Sequence, residues 1–317
     1  MRRILAAVVA VTTLLAGTAC SSDEKDEGAS GGTKISVGVI PIIDVAPIYL
    51  GKQKGFFAKR GIDLTLSPEQ GGAAIVEGVL GGKYQFGFSN VTSLMAATAA
   101  GAPLRAVASG VASNGRAGRD FSAIVVSGGS PIRSARELAG KRIAVNTLKN
   151  LGDTTVRQSV RRAGGRADDL RFQAMPFPEM PGALQAGKVD AAWVVEPALS
   201  AVLTQGGQIL ASNFVDTAPD LTVALYFTSR GTQTAKPQLV TDFTEAIKES
   251  LRYAASHPEE VRDVVGTYTK INDTVRIAMI LPSWPEEINR SSLERVASLG
   301  QHDGIFAKPP TLDQLLP

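Results

Sequence analysis

Short apolar runs and helix-like stretches alternate from Lys34 to Ala211. Strict alternation of this kind predicts mainly parallel β-sheets with helices packed on their faces, which is an α/β fold. The predicted strands are residues 35–40, 62–66, 85–88, 105–109, 122–126, 142–146, 171–174, 191–195 and 209–211. The predicted helices between them are residues 47–59, 73–80, 92–100, 134–138, 153–163, 180–186 and 198–204.

The last third of the chain follows a different pattern. One more apolar run at residues 221–228 is followed by predicted helices at 237–256, 258–268, 273–280 and 286–299. Helices without strands of their own must pack on an existing sheet, so we expect them to return to the first one. The chain after residue 33 is long enough for two hydrophobic cores. We therefore predict lobe I from residues 34–121 plus 220–317 and lobe II from residues 122–219, hinged at crossovers near 121 and 220.

The first residues have the features of an export signal. Two arginines precede an apolar run at residues 4–15, and small residues then lead to Cys20, the single cysteine of the chain. This pattern predicts a signal peptide at residues 1–19. Cys20 resembles a bacterial lipoprotein acceptor, and residues 20–33 are expected to be a lipidated, flexible tether. Gly17 stands where an aliphatic residue is usual in such motifs, so ordinary secretion with an unpaired thiol is the alternative.

Charge and composition exclude several classes of protein. Removal of residues 1–19 takes away two arginines and no acid, so the formal charge of +3 falls towards neutrality. With no basic face, a nucleic-acid partner is not expected. The two histidines, His257 and His302, have no neighbours at metal-ligand spacing, and no phosphate-binding or nucleophile-elbow motif occurs. We therefore expect no metal, no cofactor and no enzymatic activity. The absence of repeats argues against an adhesive or structural protein.

Four stretches of the chain carry a resemblance to a known family. They are residues 46–57 continuing to 61–64, residues 81–87, residues 130–134 with 137–145, and residues 183–193 ending in Glu196-Pro197. In this order and spacing they resemble the type II periplasmic binding proteins of the sulfonate, taurine, nitrate and thiamine-pyrimidine group. Gln85 stands where this family more often has an acid.

The resemblance implies a fold, a function and partners. It implies two α/β lobes joined by two crossovers, and an extracytoplasmic solute-binding lipoprotein of an ABC importer that closes around its ligand by a hinge motion. The implied partners are a small-molecule ligand, a permease with its ATPase, and the outer face of the cytoplasmic membrane through the lipid anchor. The protein itself is expected to be a monomer.

The positions of a ligand site follow from the predicted sheets. In open α/β sheets ligands lie at the carboxyl ends of strands, next to the starts of the following helices. This rule selects the loops at residues 41–46, 89–93, 146–154, 177–180 and 193–197. Within these loops the candidate ligand-binding residues are Asp44, Ser89, Asn90, Thr92, Asn146, Asp153, Thr154, Trp193 and Glu196.

Each candidate also has a purely structural interpretation. Ser89, Asn90 and Asp153 are residue types that cap helices, Asp44 could face water, and Trp193 could belong to the core. Helix starts rich in Ser, Thr and Asn suit an oxyanion. The acids in these loops disfavour a wholly anionic ligand such as nitrate but not a zwitterion such as taurine. The resemblance makes a sulfonate or taurine-like ligand the first hypothesis. A nitrogen heterocycle such as a thiamine-pyrimidine precursor or a flavin is the alternative, and an enzyme on the same fold is a further one.

Overall fold

The computed structural model describes residues 32–317, whose strands form two five-stranded sheets. The first sheet has the order β2-β1-β3-β10-β4 and the second β7-β6-β8-β5-β9, numbered along the chain. The strands are β1 Thr33–Val39, β2 Ile62–Pro68, β3 Phe86–Asn90, β4 Leu104–Ala112, β5 Ser122–Val126, β6 Arg142–Val145, β7 Arg171–Ala174, β8 Ala191–Val195, β9 Gln208–Ala211 and β10 Thr222–Ser229. We use lobe I for the first sheet with its helices and lobe II for the second.

One strand in each sheet runs against the others. In lobe I, β1 is parallel to β2 and β3, whereas β10 is antiparallel to both β3 and β4. In lobe II, β6 is parallel to β7 and β8, whereas β5 is antiparallel to β8 and β9. Each reversed strand is the first after the chain passes from one sheet to the other. The expected mainly parallel direction is correct, but a reversed strand lies inside each sheet, so both sheets are mixed.

Helices flank both sheets. They are α1 Ala46–Gln53, α2 Gly72–Leu80, α3 Val91–Ala99, α4 Leu151–Arg162, α5 Met180–Gln185, α6 Ala198–Thr204, α7 Asn213–Thr217, α8 Arg230–Ala235, α9 Pro237–Ser256, α10 Pro258–Tyr268, α11 Asp273–Ala278, α12 Arg290–His302 and α13 Leu312–Leu315. Short 3-10 turns occur at Ile43–Val45, Ala58–Arg60, Ala135–Leu138 and Phe177–Glu179.

Several helix boundaries differ from the predicted ones, and capping explains them. The helix predicted at residues 47–59 ends at Gln53, because Gly55 adopts a left-handed φ of 75° and redirects the chain. α12 starts four residues later than predicted, where the side chain of Asn289 accepts a hydrogen bond from Ser292 N. α4 starts two residues earlier, behind Asn150, and the predicted helix at 134–138 is a 3-10 turn.

Aromatic side chains anchor the cores of both lobes. In lobe I, α9 packs along α1 and the edge strand β4, and its Phe243 stacks on Phe86 with ring centroids 3.8 Å apart. Burial of each such ring contributes about 1.5–3 kcal/mol. In lobe II, the rings of Phe177 and Phe214 meet that of Trp193 edge-on, at centroid distances of 5.3 and 6.0 Å. The helical tail therefore packs on the first sheet, while lobe II has a core of its own.

Candidate functional site

The two lobes are in direct contact along the carboxyl ends of their strands. The backbone N–H of Ile43, in lobe I, donates to the carbonyl of Glu196, in lobe II, at 3.1 Å. The amide of Asn150 in lobe II donates to the hydroxyl of Ser93 in lobe I at 2.9 Å. Farther out, Arg161 on α4 forms an ion pair with Asp303, which follows α12. These bonds hold the lobes in a closed arrangement.

Three helix starts meet at this junction. The first residues of α2 come so close to the end of β3 that a Cβ added to Gly72 would overlap the Ser89 hydroxyl oxygen, and the same Cβ would stand 3.1 Å from Ser93 Oγ on α3. A Cβ added to Gly71 would stand 2.9 Å from Thr147 Oγ1, across the lobe boundary in the loop before α4. We call these residues, with their polar neighbours, the helix-start cluster: Gly71, Gly72, Ser89, Asn90, Ser93, Asn146, Thr147 and Asn150.

The helix-start cluster is polar but contains no ionisable side chain. Asn90 Oδ1 accepts from Ser93 N at 3.0 Å and caps α3, while Asn150 Oδ1 accepts from Leu151 N at 2.8 Å and caps α4. The structural interpretation of Asn90 as a helix cap is therefore confirmed, whereas the cap at Asn150 was not predicted. The neighbouring Thr92 is fully buried, and its hydroxyl has no hydrogen-bond partner within residues 32–317. Hydroxyls, amides and helix N–H groups together make a surface suited to an oxyanion.

Asp153 lies in the first turn of α4, beside this cluster. Its Oδ2 accepts from Lys149 N at 3.0 Å, whereas its Oδ1 is buried without a partner in the described part of the chain. Burial raises the pKa of Asp153 to about 6, against the lowering effect of nearby Arg157. The next residue, Thr154, was also expected to bind ligand, but its hydroxyl donates to the carbonyl of Asn150 at 3.3 Å within its own helix. Thr154 therefore stabilises the start of α4.

Trp193 belongs to the core of lobe II and does not form a stacking surface. It is 4% exposed, and its indole Nε1 donates to Ser122 Oγ at 2.8 Å. A Cβ added to Gly152 would overlap its ring, so the start of α4 lies directly against the indole. In this structure protein atoms cover the ring, so Trp193 presents no open face on which a heterocyclic ligand could stack.

The carboxylate of Glu196 is also occupied by the protein. It is 0% exposed and accepts from Ser200 N at 3.0 Å, from Ser200 Oγ at 2.8 Å and from Ile280 N at 2.9 Å. It thus caps α6 and ties lobe II to lobe I. Burial raises the pKa of Glu196 to about 7 although all three bonds favour the charged form. In this structure the carboxylate that was expected to face a ligand forms a hydrogen bond that joins the two lobes.

The carboxylate of Asp44, unlike that of Glu196, keeps an oxygen without a hydrogen-bond partner in the described residues. Asp44 follows β1 and is 2% exposed, and this oxygen is its Oδ1. Burial, with a smaller contribution from the Asp120 carboxylate, raises the pKa of Asp44 to about 7 against the lowering effect of a hydrogen bond from its own backbone. The hydroxyl of Tyr226 on β10 is likewise buried without a partner in this part of the chain, and its pKa is raised by burial and by the nearness of Asp44.

A groove of about 270 Å³ opens between the lobes and is lined in part by Pro41 and Ile42, from the loop that carries Asp44. It brings together three of the predicted loops and the end of α10, where Tyr268 donates its hydroxyl to the Ile42 carbonyl at 2.9 Å and stacks on Tyr49. Sequence reasoning missed Tyr226 and Tyr268, because they come from the distant β10 and α10 and no motif marks them. The groove is lined by Pro41, Ile42, Phe177, Pro178, Pro181, Pro197, Ala198, Ala201, Tyr268, Thr269, Lys270 and Ile271.

Two further properties bear on the class of site. Within residues 32–317, no three His, Cys, Asp or Glu side chains are grouped as metal ligands. In the same part of the chain, no helix combines the length and the apolar character needed to span a bilayer. Cys20, the predicted lipid attachment site, lies outside the described residues.

Two mixed β-sheets, each flanked by helices and meeting across a polar junction, define the periplasmic-binding-protein class of fold. The chain matches the alkanesulfonate-binding protein SsuA from Xanthomonas axonopodis pv. citri, bound to MOPS, with a TM-score of 0.74 at 19% identity over 90% of this chain and 98% of that one. The nitrate-binding protein NrtA from Synechocystis PCC 6803 matches with a TM-score of 0.74 at 14% identity, over 89% of this chain and 84% of that one.

Sequence comparison gives the family. Residues 42–261 match the family model described as NMT1/THI5 like, and the chain belongs to this family. The resemblance seen in the sequence is thereby confirmed. The nitrate import ATP-binding protein NrtC from Synechocystis sp. is 30% identical over 202 residues, covering 59% of this chain. The aligned part is only 30% of that protein's length.

Proposed function

We propose that this protein is the extracytoplasmic solute-binding component of an ABC importer and captures a small sulfonate-type or taurine-like solute between its lobes. The observation that supports this most directly is the helix-start cluster, to which both lobes contribute. A ligand held there contacts lobe I through α2 and α3 and lobe II through α4. Because it makes the full set of contacts only when the lobes are closed, its binding shifts the population towards the closed state.

The chemistry of the helix-start cluster favours an oxyanion. Its donors are the hydroxyls of Ser93 and Thr147, the amide of Asn146 and backbone N–H groups at three helix starts. A hydrogen bond to a charged group is worth about 1.5–3 kcal/mol, so a few such donors suffice for micromolar binding without an arginine. The named ligands of the related proteins, an alkanesulfonate, nitrate and, for CmpA of Synechococcus elongatus, bicarbonate, are oxyanions too.

The alternative ligand, a nitrogen heterocycle, has less support. It relied on Trp193 as a stacking surface and on Glu196 as an acceptor, and both side chains are satisfied by protein atoms. Within residues 32–317 no group of potential metal ligands supports the alternative of an enzyme on this fold. The binding of a small acidic solute therefore remains the proposal.

Export and anchoring are part of the same proposal. We expect cleavage before Cys20, lipidation of its thiol, anchoring to the outer face of the cytoplasmic membrane, and docking as a monomer on a permease that works with an ATPase. Metabolic labelling with palmitate tests this: the wild type should be labelled and Cys20→Ala should not. Label retained in Cys20→Ala would exclude this residue as the lipid attachment site.

A thermal-shift screen tests the ligand class. The mature chain carrying Cys20→Ser is heated with sulfonates, taurine, nitrate, pyrimidines and flavins, and a ligand at 100 times its Kd should add about 2.7 kcal/mol of stability. Ser93→Ala should reduce the shift, because it removes a hydroxyl of the helix-start cluster. Ser291→Ala, on the exposed start of α12, is the matched control and should not. The proposal fails if only pyrimidines or flavins raise the midpoint.

A further inference from the structure

We propose that Asp44 and Tyr226 form a second subsite, which binds a cationic group of the ligand, so that the solute is a short zwitterion. This inference rests on the proposed function, because it assigns the opposite end of the molecule whose oxyanion lies in the helix-start cluster. The subsite is defined by two partnerless oxygens, Asp44 Oδ1 and Tyr226 Oη, both buried in lobe I.

An unpaired buried carboxylate is unusual and costly. Among residues 32–317, Asp44 forms no ion pair with a Lys or Arg side chain, and its Oδ1 accepts no hydrogen bond. Buried charges in proteins are normally paired, because the loss of hydration is otherwise uncompensated. An ammonium group of a ligand would supply the missing charge and up to three donors.

The groups around Asp44 favour a cation and no other charge. The titratable side chains that act on it or on its neighbours are Asp120, Tyr49, Tyr226 and Tyr268, all of them acidic or neutral. Asp120 is fixed by hydrogen bonds from Ser113 Oγ at 2.6 Å, Asn114 N at 3.1 Å and Phe121 N at 2.9 Å, and so contributes negative potential without competing for the ligand. The Tyr226 hydroxyl offers a second acceptor beside Asp44.

Access and spacing are consistent with a small molecule. Asp44 directly follows Ile43, whose N–H binds lobe II, and the groove between the lobes is lined by Pro41 and Ile42 of the same loop. The loop after β1 and the start of α3 after β3 belong to neighbouring strands of the first sheet. Both subsites therefore follow the carboxyl ends of adjacent strands, at the same edge of the first sheet, where one small molecule can contact both.

The subsite also predicts a proton exchange on binding. With its pKa raised to about 7 by burial, Asp44 is largely protonated below neutrality in the ligand-free protein. A bound cation favours the ionised form, so binding should release a proton near pH 7, and the affinity should increase as the pH rises from 6 to 8.

Isothermal titration calorimetry of the mature chain with two pairs of probes tests the inference. Taurine is compared with ethanesulfonate, and β-alanine with propionate, so that each pair differs by an ammonium group. We expect each zwitterion to bind the wild type at least about tenfold more tightly than its partner. Asp44→Asn should abolish this preference while leaving ethanesulfonate binding within about threefold. Asp168→Asn, at an exposed acid, should keep the preference.

The outcomes separate this inference from the proposed function. Equal binding of both members of each pair to the wild type, or a preference that survives Asp44→Asn, overturns the cation subsite and leaves the oxyanion site standing. If none of the four probes binds the wild type at millimolar concentration, the proposed oxyanion function fails and the cation subsite fails with it.

Discussion

Replacement of Asp44 by asparagine should stabilise the ligand-free protein above neutral pH. Burial raises the pKa of Asp44 from its usual 3.8 to about 7. Each pKa unit corresponds to about 1.4 kcal/mol, so ionisation of Asp44 costs the folded state up to roughly 4 kcal/mol. Asparagine has nearly the same shape and carries no charge, so it removes this cost. The gain should therefore approach the same magnitude.

The stabilisation expected from Asp44→Asn depends on pH. An unfolded chain ionises this carboxyl above about pH 4, whereas the folded chain keeps its proton until about pH 7. The wild type therefore loses stability as the pH rises from 4 to 7, and the whole cost is present above 7. The difference in unfolding free energy between Asp44→Asn and the wild type should be small at pH 4 and largest at pH 8.

Urea denaturation at a series of pH values measures this difference. Asp168→Asn is the control, because this acid is exposed and its replacement should change the stability little at any pH. The same chemical change thus has a pH-dependent effect only at the buried acid. A stability difference for Asp44→Asn that is constant between pH 4 and 8, or negative at pH 8, would refute the assignment of Asp44 as an unpaired buried acid.

Two further substitutions test other parts of the site. Gly72→Ala should lower sulfonate affinity at least about tenfold by calorimetry, because its Cβ would overlap the Ser89 hydroxyl. Gly182→Ala in α5, where a Cβ meets nothing within 4 Å, should have no effect, and equal losses in both variants would contradict the close-packing argument. Trp193→Phe should cost about 1–3 kcal/mol in urea denaturation, since it removes the bond to Ser122 and leaves a void. An unchanged denaturation midpoint would show that Trp193 is not a core residue.

Much of the fold could be predicted because the strands are continuous apolar runs. The runs predicted at residues 122–126 and 191–195 coincide with β5 and β8, whose residues are all buried. Burial on both faces leaves no place for polar residues, so these strands are visible in the sequence. Strand direction could not be predicted, because β5 and β10 are reversed by the path of the chain between the lobes and no local pattern records it.

The site was only partly predictable, for a related reason. The rule that ligands lie at the carboxyl ends of strands selected the loops that line the interlobe groove and the helix-start cluster. It could not show which side chains already had partners. Trp193 is satisfied by Ser122 and Glu196 by Ile280, which are 71 and 84 residues away in the sequence. Such long-range hydrogen bonds exist only once the chain has folded.

The presence of a buried polar atom without a partner therefore separates ligand-binding candidates from structural residues better than residue type does. Glu196 and Trp193 already form hydrogen bonds within the protein, so a ligand that binds them must compete with bonds of similar strength. Asp44, Thr92 and Asp153 each keep a buried oxygen without a partner in the described part of the chain. Those atoms destabilise the ligand-free protein, and a ligand that supplies donors to them recovers this free energy as affinity. The same unpartnered carboxylate thus accounts for both expected effects of Asp44→Asn. The substitution should stabilise the ligand-free protein, and it should remove the preference for a zwitterion.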